Sequence, residues 1–195
     1  MYVLDISKYH PKGKEYEVFE HLEEINVGQW EQIISWSLNE DADLSELLHD
    51  LYNIPKYQLK MIPRVIMDVI DVSYSVTLRE ALEIHEAEKI IEGVSFETMP
   101  WYKWLDITAM AQAHNENPGT FIRYLLAVTY GDYDNEKEGD LDRVAEEMKE
   151  RPAVEGLSLA AFFIVRDPKF RNLMNQYIPQ MSEFLLHTPE ATDKS

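Results

Sequence analysis

Between residues 132 and 142 the chain reads DYDNEKEGDLD, a run of carboxylates around a single glycine. That is the raw material of a calcium loop, in which alternate positions turn oxygens inward on the ion and a glycine at the sixth position makes the bend. Counting from Asp134, Glu136 and Glu138 fall on the third and fifth positions and Gly139 on the sixth. Asp140 falls on the seventh, where the backbone carbonyl is the ligand, and Asp142 on the ninth. The twelfth position should bring a bidentate carboxylate, and it is Ala145, with Glu146 one residue late. Glutamates at the third and fifth positions are also longer than the aspartate or asparagine a tight loop needs. The spacing therefore predicts a solvated acidic loop that favours the start of the next helix through its dipole. Asp134, Glu136, Glu138, Asp140 and Asp142 remain a weak calcium-loop alternative.

Other chemistry is thinner still. His85-Glu86 opens like a zinc-protease helix, but Lys89 stands where the second histidine belongs. The six histidines are scattered, with none paired at helical spacing. The glycines stand singly, without a phosphate-binding pattern, and the nucleophile elbow G-x-S-x-G is absent. There are no cysteines, which excludes disulfides, thiolate metal sites and a cysteine nucleophile. The 36 acidic side chains could meet as a catalytic pair, yet nothing in their spacing marks two of them out. The expectation is a non-enzymatic protein with no cofactor. Trp30, Trp101 and Trp104 lie near expected helix ends, where they either pack inward or hold a partner. The same choice holds for Phe170, Met174, Tyr177 and Met181 on the last apolar stripe.

The elements that must position these groups read mostly as helices. Trp30, Ile33 and Ile34 recur at helical spacing within 26–38, and Leu44, Leu47, Leu48 and Leu51 do so after Asp43, a good N-cap. Pro63 suits the first turn of a helix carrying Val65, Ile66, Val69 and Ile70. Residues 101–113 predict a helix with Trp104, Leu105, Thr108 and Ala111 or Gln112 along one side. Pro118 starts another, which holds Phe121, Tyr124, Leu125 and Val128. Asp140 caps 141–151, the apolar run 157–165 is a central helix, and Pro168 opens the last one. A short hairpin is expected near 88–98, around Glu92-Gly93. The helix pair at 30–51 echoes the pair at 107–128 at an offset of 77, as two similar lobes would. The expected layout is an N-terminal helical lobe over 1–75, a connecting segment over 76–100 and a C-terminal helical lobe over 101–195, which together form a multi-helix bundle.

The formal charge is −18, from 36 acidic and 18 basic side chains. From Glu15 to Asp50 there are eleven acids and no lysine or arginine, while Lys56, Lys60 and Arg64 make a mildly basic segment. Such a chain repels phosphates, so direct nucleic-acid binding is disfavoured. The N-terminus lacks the basic and apolar regions of a secretory signal, and the longest apolar run, Leu159 to Val165, is too short to cross a bilayer. The protein is expected inside the cell and off the membrane.

Three stretches, INVGQWEQI (25–33), FIRYLLAVTYGDYD (121–134) and LDRVAEEMKERPAVEGLSLAAFFIV (141–165), resemble small acidic proteins of tailed bacteriophages. The resemblance is one of helix order and pattern, and it carries no site motif. It implies a virion-morphogenesis protein, found in the virion's head, neck or tail or acting as a tail assembly chaperone in the host cytoplasm. Its expected partners are other phage structural proteins or further copies of itself. Two other readings stand beside it: an acidic mimic of nucleic acid that inhibits a DNA-binding protein, and an unrecognised hydrolase.

Overall fold

The protein is described by a computed structural model over residues 2–19, 21–39, 43–68, 70 and 98–179. The first half contributes Val27–Ser37 (α1), Leu44–Tyr52 (α2) and Lys56–Leu59 (α3). A reciprocal cap starts α1: Gln29 N–H donates to Asn26 Oδ1 at 2.8 Å, and Asn26 N–H donates to Gln29 Oε1 at 3.0 Å. The stripe Val27, Trp30, Ile33 and Ile34 is buried. Asp43 caps α2 by accepting from Ser45 N–H at 2.9 Å, and Leu47 and Leu48 point inward. The helix ends at Asn53, whose φ of 55° reverses the chain in the left-handed region. Past Pro63, residues 64–68 are helical.

The second half contributes Trp101–Ala113 (α4), Pro118–Tyr130 (α5), Asp140–Glu147 (α6), Ala153–Arg166 (α7) and Pro168–Tyr177 (α8). Pro118 and Pro168 occupy the first turns of α5 and α8, where a missing N–H costs nothing. A tight 3-10 turn over Met148–Glu150 ends α6 earlier than the expected 151. α5 is buried over most of its surface and lies against α1, α4, α6 and α7, so it forms the middle of the bundle. It runs antiparallel to α1. Asn117 Nδ2 donates to Ser35 Oγ at 2.8 Å, while Arg123, two turns further on, reaches back to Glu31 at 3.4 Å. The two backbones nearly touch at Gly119, where a Cβ would lie 2.6 Å from Glu31 Cα.

A short antiparallel hairpin joins Tyr2–Asp5 (β1) to Glu15–Val18 (β2), with Leu4 opposite Tyr16. Leu4, Ile6, Tyr16 and Val18 turn into the core. The molecule is thus mostly α with one small sheet among the described residues, as the helical periodicity anticipates. The hairpin expected at 88–98 falls, except for Thr98, outside the described residues, as do most of the connecting segment, His85 and Met181.

Buried apolar side chains from Leu4 to Ile70 and from Ile107 to Ile178 belong to one cluster. The two halves are also stitched through their backbones. Val27 N–H donates to the Arg151 carbonyl at 2.8 Å and Ala153 N–H to the Ile25 carbonyl at 3.0 Å, on either side of an Asn26–Pro152 bridge. One face is out of phase with expectation. In α4 the buried residues are Ile107 and Ala111, with Trp104 and Met110 packed against the core, and Leu105 turns to solvent. Apolar groups surround the first turns of α4, so its own spacing does not choose a side, and the positions of α5 and α8 do. No helix among the described residues is long and apolar enough to cross a membrane.

Candidate docking surface

The acidic loop can be followed atom by atom. Gly139, at φ 77°, turns the chain into α6, and the Asp140 side chain folds back under it. Its carboxylate accepts from Asp134 N–H at 3.0 Å, Lys137 Nζ at 3.0 Å and Arg143 Nε at 3.1 Å. The Asp134 amide, then the Arg143 and Lys137 cations, hold this acid well below the usual carboxylate range. Asp142 points elsewhere and accepts from the Tyr124 hydroxyl at 2.7 Å. Burial, with that carboxylate beside it, pushes the Tyr124 phenol up to about 12. Asp134 accepts from Glu136 N–H at 3.0 Å, and Glu136 and Glu138 face solvent. The five carboxylates do not converge on a point, and the described residues contain no group of three or more acids or histidines that could hold a metal.

The Asp140 clamp has a testable pH signature. Its folded-state pKa is below the unfolded value near 3.9. Its contribution is therefore fully present above about pH 4 and is lost as the pH falls through the folded value. Asp140→Asn should lower the denaturation midpoint at about pH 7, and the gap from wild type should narrow at about pH 3. A gap that is the same at both pH values would refute the clamp.

A second charged seam joins α1, α5 and α6. Arg123 lies 3.4 Å from Glu31 and 3.3 Å from Glu146, Lys149 Nζ donates to Glu146 at 2.7 Å, and the Thr120 hydroxyl donates to Glu31. It borders an open groove of about 440 Å³ whose other walls include Trp36, Glu46 and Asp50. Glu31 and Glu146 are engaged by Arg123 and Lys149, and this seam fastens helices together.

The aromatic residues divide sharply. Trp30 is 1% exposed, and Phe170 and Met174 are fully buried. Their candidacy as partner-binding groups is corrected, because each faces a neighbouring helix. Trp104 is half-buried against the core, and Tyr177 is half-buried with its hydroxyl accepting from Gln112 Nε2 at 2.7 Å. Trp101 is different, at 69% exposed, with Leu105 one turn on at 50%. Tyr102 adds a partly exposed ring beside them.

This apolar face stands on a fixed base. The Tyr133 hydroxyl donates to Asp106 at 2.6 Å, Lys103 Nζ lies 5.7 Å from the Tyr133 ring centre, and the Tyr102 and Tyr133 rings meet at 6.2 Å. Burial pushes the Lys103 ammonium down, against the pull of Asp132 and Asp106. Sequence reasoning singled out Trp101 and missed Tyr102 and Leu105. The adjacency Trp101-Tyr102 was the available signal, since neighbours on a helix point about 100° apart and two large rings in sequence widen the apolar surface beyond a single stripe. No known family matches the chain, and neither does any curated protein or solved structure. What this face can do is exclude water against another surface, with the Tyr102 ring already resting on Tyr133.

Proposed function

We propose that this chain is a protein-binding component of tailed-phage particle assembly, either a head, neck or tail part or a tail assembly chaperone. The observation that carries the binding role is the exposed Trp101, Tyr102 and Leu105 face on its hydrogen-bonded base. Large aromatic side chains are the groups that dominate protein interfaces. The phage setting rests on the pattern resemblance of 25–33, 121–134 and 141–165. That resemblance is the support for a location in the virion or in the host cytoplasm during assembly. The nucleic-acid mimic is less well supported, because exposed Lys12, Lys14 and Lys60 interrupt the acidic surface.

The test is co-elution with purified neck and tail proteins of a tailed phage. The wild type should bind at least one of them, and Trp101→Ala with Leu105→Ser should weaken that binding by about 2 kcal/mol or more, roughly thirtyfold in Kd. The variant should keep the wild-type circular dichroism spectrum, because both side chains lie outside the core. Absence of binding to every such component would overturn the proposal. Presence in purified particles would mark a virion part, and presence only in complexes before maturation would mark a chaperone.

A further inference from the structure

On a chain of net charge −18, one surface gathers lysines that are in no ion pair among the described residues. The hairpin loop and α3 meet there. Gln58 Nε2 donates to the Lys12 carbonyl at 3.1 Å, the His10 and Tyr57 rings meet edge to face at 5.3 Å, and Lys14 Nζ sits 5.0 Å from the Tyr16 ring centre. Lys12, Lys14 and Lys60 are exposed, and among the described residues none is in an ion pair, unlike Lys8 with Asp5 or Lys56 with Glu46. Tyr57 and Met61 in the same stretch are 56% and 57% exposed. The patch thus sets cations around an aromatic ring and a thioether, and the cations suit an acidic segment.

The chain itself has such a segment. Asp132, Asp134, Glu136 and Glu138 are exposed on the loop after α5, and among the described residues none is in an ion pair. The loop is held in shape by the Asp140 clamp and by buried Tyr133. The antiparallel run of α1 and α5 separates the two surfaces. The acidic loop leaves the C-terminal end of α5, toward the start of α1. Lys60 lies beside Trp36, near the end of α1. Patch and loop therefore cannot meet within one molecule, but they can meet between two.

We infer that the Lys12, Lys14, Tyr57 and Lys60 patch docks the 132–138 acidic loop of a second copy of this chain, head to tail. This deepens the protein-binding reading by naming one partner, and it uses a surface that does not include Trp101. A contact between unlike faces leaves one free patch and one free loop at the ends of every pair, so it propagates into a ring or a filament. Two copies of charge −18 repel at long range. At about 0.15 M salt that repulsion is screened beyond about 8 Å, while contacts a few ångströms apart survive.

The experiment is sedimentation velocity on the full chain over a concentration series at about 0.15 M salt. Wild type should form species larger than a monomer. Lys12→Glu with Lys60→Glu, and separately Glu136→Lys with Glu138→Lys, should each weaken association tenfold or more. An equimolar mixture of the two variants should associate again, because both contacts are then complementary. That recovery also reports that both variants are folded. A wild type that stays monomeric, variants that associate as wild type does, or a mixture that stays monomeric would each overturn the inference. The Trp101→Ala, Leu105→Ser variant should self-associate normally, so loss of the phage-partner reading would leave this result standing.

Discussion

Phe163→Ala should lower the free energy of unfolding by about 3–5 kcal/mol, read from a urea titration with an unchanged slope. Phe163 is fully buried where α5, α7 and α8 meet. Its ring centre lies 5.4 Å from that of Phe170, which in turn lies 6.4 Å from that of Phe121. Removing the Phe163 ring leaves a hole beside Phe170 of α8, inside the core that α5, α7 and α8 share. Each helix is held elsewhere: α5 by its seam with α1, α7 by the Asn26–Pro152 bridge at its start, and α8 by its Asp167 cap. The hole therefore collapses poorly, which puts the cost in the upper part of the usual range. Domains of ordinary stability have about 5–15 kcal/mol in total, so the variant should melt far below wild type. Phe162→Ala, at a half-buried position next door, should cost clearly less. Equal losses at the two positions would contradict this arrangement.

Gly119→Ala should also destabilise, by about 1–3 kcal/mol, although alanine is ordinarily the better helix former by about 1 kcal/mol. The added Cβ would lie 2.6 Å from Glu31 Cα, a backbone atom with no rotamer to escape into. Relief requires α1 and α5 to part, which lengthens the Asn117–Ser35 and Arg123–Glu31 contacts at the same time. Gly28→Ala is the control. Its nearest neighbour would be Lys149 Cβ at 3.3 Å, and the change should stay within about 0.5 kcal/mol of wild type. If thermal melts rank the two variants the other way, the close crossing of α1 and α5 is wrong.

What could be read in the sequence follows from how local each signal is. The stripe Trp30, Ile33, Ile34 and the caps at Asp43, Pro118 and Pro168 are short-range chemistry, and the structure places helices there. The run from Leu157 is apolar nearly all round, and that helix is buried over most of its length as its composition implies. The hairpin was not legible because each strand has four residues and they are separated by a loop with its own 3-10 turn, which leaves no alternation long enough to recognise. For the docking surfaces, spacing placed tryptophans at helix ends without saying which end faces α5. Trp30 went inside and Trp101 outside because of neighbours distant in sequence. The lysine patch was hidden for the same reason: Lys12 comes beside α3, the helix that Lys60 ends, only when Gln58 reaches the hairpin loop.

The pairing of Ile25 and Val27 with Ala153 and Arg151 also sets a timetable for synthesis. α1 leaves the ribosome with its Trp30 face uncovered, and the segment that closes over it follows roughly a hundred residues later, which is several seconds at about 5–20 residues per second. Through that interval the nascent chain exposes a greasy helix it cannot yet shelter. A polypeptide halted before residue 118, and so lacking α5, should therefore clump, whereas the full-length product buries the same helix as soon as its own later portion emerges.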